Sequence, residues 1–268
     1  MKGNVSLYIT ELRRIARSMS LVDELVAVVG KKDVITNAGK TLRFRKGYRS
    51  GHGDAVAVVF PTSLMAMWRV LNVLHEHNIV IIMQAANTSL TEGSVPAPGY
   101  DRPAVVVNGP AYTELSLYVW IDENDEMHLV NHLGIDLGDT PEEIITNLEN
   151  RNFDLNQVPA TEHHGSMHNH EQVVRDVDSD QPIRYNANPK ELFEVSGSAG
   201  HVAALAVRLD TFPKDETTQV FYIGTNNPDE LEDIRRHIMT HFKSLPVSGE
   251  YMHKTAYELA KQYGKDSL

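Results

Sequence analysis

The chain has 268 residues, a formal net charge of −11 and no cysteine. That length suffices for one large domain or two small ones, and the acidic balance argues against nucleic acid or an anionic membrane surface as the main partner. The lack of cysteine excludes disulfides, thiolate metal sites and a cysteine nucleophile, and fits a reducing cytoplasm. At 41% hydrophobic and 23% charged residues the composition is that of a soluble globular protein. No window carries the long uncharged apolar run of a membrane-spanning helix, and residues 1–30 lack the layout of a signal peptide.

Residues 5–29 place Leu7, Leu12, Ile15, Met19, Val22, Val26 and Val29 at helical spacing, which predicts an amphipathic packing helix capped by Gly30. Residues 43–53 are basic and rich in glycine: Arg43, Arg45, Lys46 and Arg49, with Gly47, Gly51 and Gly53 between. Such a turn can face an anion or simply be solvated. Residues 55–60 read as an apolar strand ended by Pro61. Ser63 is the N-cap of a helix over 64–77, with Met67, Val70, Leu71 and Leu74 on its buried face. The apolar run I-V-I-I-M at 79–83 makes a second strand. The order strand–helix–strand predicts a parallel βαβ unit with a right-handed crossover.

That second strand breaks into small and hydroxylated residues: Ala85, Ala86, Asn87, Thr88, Ser89, Thr91, Gly93 and Ser94. Small side chains let a ligand approach the main chain, and successive N–H groups form a concavity suited to phosphate oxygens. By itself such a run is more often a plain loop.

Residues 105–107 give a third strand, and 115–121 pairs with 127–131 as a hairpin around an acidic turn. Thr140-Pro141-Glu142-Glu143 is a helix start with a capping box, and the helix runs to about residue 149. Residues 150–180 are polar and predict a long loop or insertion. Within it His163, His164, His168 and His170 could bind a transition metal, although no matching carboxylate or cysteine pattern accompanies them. Ser196, Gly197, Ser198, Ala199 and Gly200 lead into an apolar strand over 201–209. A further strand is predicted at 219–223. A helix follows from Asn227 to about Phe242, with Leu231, Ile234, Ile238, Met239 and Phe242 inward. A last helix spans about 255–263.

The segment R-K-G-Y-R-S-G-H-G-D-A (45–55), a V-x-x-P-x-S-like lead into a helix, and the strand and loop ending M-Q-A-A-N-T-S-L-T-E-G-S (83–94) stand in one order. That order resembles the FAD-binding domain of the flavoenzyme family of vanillyl-alcohol oxidase and p-cresol methylhydroxylase. With G-P-A-Y-T-E-L-S-L (109–117), L-V-N-H-L-G-I-D-L-G (129–138), V-F-Y-I-G-T-N (220–226) and G-E-Y-M-H (249–253), the chain more narrowly resembles the bacterial quinone-dependent D-lactate dehydrogenases. The resemblance implies an α+β fold, a PCMH-type FAD-binding domain with a parallel βαβ unit and a mixed sheet. It implies FAD as cofactor, oxidation of D-lactate to pyruvate, and electrons passed to membrane quinone at the cytoplasmic face of the inner membrane. On the pyrophosphate side it points to Ala85, Ala86, Asn87, Thr88, Ser89, Gly93 and Ser94. On the flavin side it points to Gly197, Gly200 and Ala204. The family loop often has Gly where Ser89 stands, which a serine tolerates only outside the left-handed region. His52, His132, His201 and His253 lie at or near family positions, and none is identified as the catalytic base.

The resemblance divides the chain into a helical lead-in (1–42), a first FAD-binding subdomain (43–108), a second one with the polar insertion (109–215) and the start of a cap domain (216–268). In the family, V-V-V-N and G-P-A-Y-T are not adjacent: strands, a helix and a second glycine- and serine-rich loop stand between them. The chain is therefore expected to be internally shortened and C-terminally truncated, without the family's membrane-docking region, and not to turn over D-lactate alone. Exposed strand edges are expected near Val107 and Leu115. Two other functions stay open: a non-catalytic remnant with weak or no FAD binding, and a metal-binding or interaction module acting through the histidine-rich loop.

Overall fold

The structure is a computed structural model and describes residues 20–89, 92–108, 115–158, 169–180, 202–209, 211 and 213–264. Contacts divide them into two compact units, one with the described residues up to 158 and 202–211, the other with 169–180 and 213–264.

The first unit begins with helix α1 (Leu21–Val29). Its N-cap is Ser20, in extended conformation, and Gly30 at φ +92° ends it. Of the helix expected over 5–29, residues 5–19 lie outside the described residues, and the described part starts at the Ser20 cap, whose Oγ accepts the Asp23 N–H. A short strand β1 (Val34–Ile35) and helix α2 (Ala38–Arg45) follow. Strand β2 (Ala57–Val59), helix α3 (Leu64–Glu76) and strand β3 (Val80–Gln84) form the predicted parallel unit. Ser63 caps α3 as expected, accepting the Ala66 N–H at 3.0 Å, and Met67, Val70, Leu71 and Leu74 are all buried.

Strand β4 (Ala104–Asn108) lies between β2 and β3 in a sheet of order β1-β2-β4-β3, parallel except for β1. The pleat sends alternate residues to opposite faces. Val105 and Val107 join the main core with α1 and α3, while Val106 joins Val58 and Ile82 in a second cluster flanked by Phe44 of α2. A parallel sheet needs cover on both faces, and here helices supply it on each.

Strands β5 (Leu115–Ile121) and β6 (Met127–Asn131) form the predicted hairpin, and β7 (Val202–Arg208) pairs antiparallel on the other side of β5. Helix α4 (Pro141–Glu149) starts with the expected capping box on Thr140 and Glu143. Its last residue, Glu149, reaches the α3 N-terminus and accepts the Leu64 N–H, with the Met65 N–H at 3.3 Å. One expectation fails: Val107 and Leu115 do not lie at sheet edges. Both β4 and β5 are paired on both sides, and both residues are buried.

The second unit contains α5 (His170–Arg175), α6 (Pro228–His241) and α7 (Lys254–Tyr263). Helix α5 corrects the reading of 150–180 as loop throughout, as does a 3₁₀ turn at Leu155–Gln157 in the first unit. Arg175 donates to the carbonyls of Met239, Phe242 and Lys243, covering the end of α6. The expected inward face of α6 is only half-buried, and Phe242 is exposed. The strand expected at 219–223 does not form: these residues join no ladder, and Tyr222 is 97% exposed. The first unit offers a direct test of its helix starts. Thr140→Ala should lower stability by about 1 kcal/mol, read as a drop in the urea midpoint, while Thr140→Ser should restore it.

Candidate functional site

Strands β2, β3 and β4 run parallel, so the loops that follow them emerge at one edge of the sheet. Open α/β sheets bind ligands outside the carboxyl ends of their strands. The segment after β3 holds the residues expected at the pyrophosphate. Ala85, Ala86, Thr88 and Gly93 are exposed, while Asn87, Ser89 and Ser94 are half-buried. A Cβ added at Gly93 would meet nothing within 4 Å, so a ligand has room to approach the main chain there. Ser89 is not in the left-handed region, so serine sits there without strain. Asn87 (φ 56°) and Glu92 (φ 64°) take that role instead.

The basic glycine-rich turn lies against this loop. Arg45 donates to the Gly53 carbonyl at 2.9 Å and to Asp54 at 2.8 Å, and Lys46 bridges to His52. A Cβ on Gly51 would strike the Glu92 side chain at 2.9 Å, and one on Gly53 would strike the Pro96 carbonyl at 2.5 Å. The two segments enclose a cleft of about 280 Å³, lined by Gly51, His52, Glu92, Val95 and the 96–98 strip. Arg43, Lys46 and Arg49 are exposed in the turn beside it. Exposed main chain and nearby cations suit an anionic, phosphate-bearing ligand.

The sequence-expected residues do not all gather here. Ala204 lies within β7 opposite Tyr118 and is 3% exposed. Gly197, Gly200, His201 and the histidines at 163, 164 and 168 fall outside the described residues. His170 opens α5. His132 packs edge-on to Tyr118, and His253 caps α7 through the Thr255 N–H.

Sequence reading missed two groups. One is Gln84, 2% exposed at the end of β3, whose Nε2 donates to the carbonyls of Phe44 (2.8 Å) and Ser94 (2.6 Å). The apolar run before it disguised it as a strand end. The other is Asp122, Glu126 and His128, whose ligand atoms lie within 4.8 Å of one another on the β5–β6 hairpin. Asp122 is the hub of that turn. The Glu126 N–H, the His128 ring and the Asn124 N–H hold its carboxyl down to about 2, against an ordinary value of 3.8.

The chain resembles the quinone-dependent D-lactate dehydrogenases over nearly its whole length. It is 40% identical to the one from Escherichia coli over 316 aligned positions, 93% of this chain and 55% of that protein. It is 39% identical to the one from Haemophilus influenzae and 36% to the one from Corynebacterium glutamicum, across 92% and 94% of this chain and 56% of each relative. The chain thus spans little more than half the length of these relatives. Only 93% of the 268 residues, about 249, enter that alignment of 316 positions, so about 67 positions of the Escherichia coli protein (316 less 249) have no counterpart inside it. The family described as D-lactate dehydrogenase, membrane binding, matches residues 220–268. Among solved structures, an alkyldihydroxyacetonephosphate synthase shares 17% identity at TM-score 0.29, covering 47% of this chain and 27% of that one. p-Cresol methylhydroxylase with substrate bound shares 17% at TM-score 0.28, with the same coverage. Scores of this size fix neither fold nor function.

Because the folded Asp122 carboxyl lies below its unfolded value, its contribution to the hairpin is complete above about pH 4 and lost as the pH falls toward 2. Its carboxyl carbon should titrate near pH 2 by NMR. A midpoint near 3.8 would show that the turn does not hold it.

Proposed function

We propose that the chain carries the diphosphate-binding part of an FAD-dependent oxidoreductase of the D-lactate:quinone type, with the loop after β3 and the neighbouring basic turn as the phosphate port. The observation that supports this most is the 36–40% identity, over more than nine-tenths of the chain, to proteins named quinone-dependent D-lactate dehydrogenase. The loop after β3 suits part of such a cofactor: Ala85, Ala86 and Thr88 are exposed, the space at Gly93 is open, and Arg43, Lys46 and Arg49 are exposed in the neighbouring basic turn. Bound FAD would supply hydride acceptance, with D-lactate losing a hydride from carbon and a proton from its hydroxyl to give pyruvate, and quinone leaving as quinol. The residues of this chain bind and orient. The loop after β3 would meet the diphosphate with main-chain N–H groups and the Thr88 hydroxyl, and residues Gly197, Gly200 and Ala204 remain the proposed flavin side.

The resemblance-based division at residues 42, 108 and 215 is carried forward as part of this proposal. Its last segment overlaps residues 220–268, which match the family described as membrane binding, against the expectation that the chain lacks that region. Peripheral contact with a membrane through the second unit follows the same reading. Val220, Phe221, Tyr222 and Ile223 are exposed there, while among the described residues no helix is long and apolar enough to cross a bilayer.

A second reading, a remnant that binds no flavin, is favoured by the roughly 67 aligned positions without counterpart (316 less about 249). The absorption spectrum of the purified chain, taken after adding FAD and desalting, separates the two. We expect a retained flavin spectrum. A colourless protein would make the missing positions indispensable and establish the remnant. D-lactate-driven reduction of an artificial acceptor by the chain alone would overturn the expectation that those positions are needed for turnover.

A further inference from the structure

The hydrogen bonds around the loop after β3 assign two of its polar side chains away from the ligand. An anion needs donors, and an amide side chain has two N–H bonds to give. Gln84 spends its donors inward, on the carbonyls of Phe44 and Ser94. Asn87 does the same, with its Nδ2 on the carbonyls of Lys46 (3.0 Å) and Arg43 (3.4 Å). The Asn87 Oδ1 accepts from the Ser94 Oγ at 3.0 Å. Three of the four carbonyls engaged lie at the C-terminal end of α2 or just past it, where a helix leaves its last carbonyls without partners. The fourth belongs to Ser94, so Gln84 also closes the loop on itself.

Resting on the flavin reading above, we propose that Gln84 and Asn87 are positioning residues for the phosphate port. Gln84 pins both ends of the loop, and Asn87 pins its middle, to the carbonyls at the end of α2. Neither side chain offers a donor to the diphosphate of a dinucleotide. A side-chain donor left for that group is the Thr88 hydroxyl, which no hydrogen bond engages among the described residues. The left-handed backbone at Asn87 (φ 56°) serves the same end, since asparagine tolerates it better than most residues while keeping its amide turned inward.

The test uses the full chain and three variants: Gln84→Leu, which keeps bulk without donors; Asn87→Gly, which keeps the backbone angle without the amide; and Ser94→Ala. Two quantities are read. One is the rate of cleavage by a glutamate-specific protease at Glu92–Gly93 without flavin, against cleavage at the exposed Glu250 as internal reference. The other is FAD affinity from quenching of flavin fluorescence. Each clamp restrains local opening, so cleavage at Glu92 should rise about tenfold in Gln84→Leu and Asn87→Gly, and less in Ser94→Ala. FAD affinity should fall in the same order. If Asn87→Gly weakens FAD while cleavage at Glu92 stays at the wild-type rate, Asn87 is a ligand contact and the proposal fails. Unchanged cleavage and affinity in all three would also end it. If Gln84→Leu loses its fold by circular dichroism, Asn87→Gly and Ser94→Ala decide. If the wild-type chain binds no FAD, the flavin reading fails, and the cleavage rates still decide whether the clamp exists.

Discussion

A strand buried on both faces sets the plan of the first unit. β4 has a strand on either side and a hydrophobic cluster above and below, so the sheet is stable only while helices cover each face. On one face the covering helix is α3, the crossover itself. On the other it is α2, whose Phe44 stacks edge-on against Phe60 at 5.2 Å. That second placement has a functional result. It brings the unsatisfied carbonyl end of α2 to the edge of the sheet from which the loop after β3 emerges. The cover needed for burial therefore also supplies the acceptors that shape the loop.

The second unit is built on different terms. Its helices bury no side chain fully, and its order comes from ionic and carbonyl contacts: Arg175 across the end of α6, and Arg236 between Asp178 and Glu232. Glu232 is held down to about 2, first by its hydrogen bonds with Arg235. Exposed pairs of this kind contribute little each. A unit held this way opens locally more readily than one with a packed interior.

Much of the first unit was legible in the sequence because its signals are local. The apolar alternation of β5 and β6, the Ser63 cap and the capping box at Thr140 need only a few neighbouring residues to be read. The misses share a cause. Helix α5 has no apolar period and rests on Arg175 reaching carbonyls more than sixty residues away. The stretch 219–223 has the β-rich composition of a strand but no partner among the described residues, and composition cannot show a missing neighbour. The expected edges at Val107 and Leu115 were inferred from a join in the sequence, whereas the chain pairs both strands on each side. At the site, the loop and the basic turn were legible as separate segments. That they face one another, and that Asn87 points inward, depends on the end of α2 about forty residues upstream.

The carboxylate of Glu149 on the first turn of α3 has a consequence for selectivity. Helix N-termini attract phosphate through their dipole and unsatisfied N–H groups, and α3 begins at the same edge of the sheet as the cleft. Glu149, the last residue of a helix more than seventy residues further along the chain, already fills that position with a carboxylate of its own. The fold thus carries a tethered anion on the first turn of α3. An incoming diphosphate would have to displace a tethered anion there, at an effective concentration no free ligand matches. On the proposed flavin reading, the tethered carboxylate would leave the loop after β3 as the place for the diphosphate.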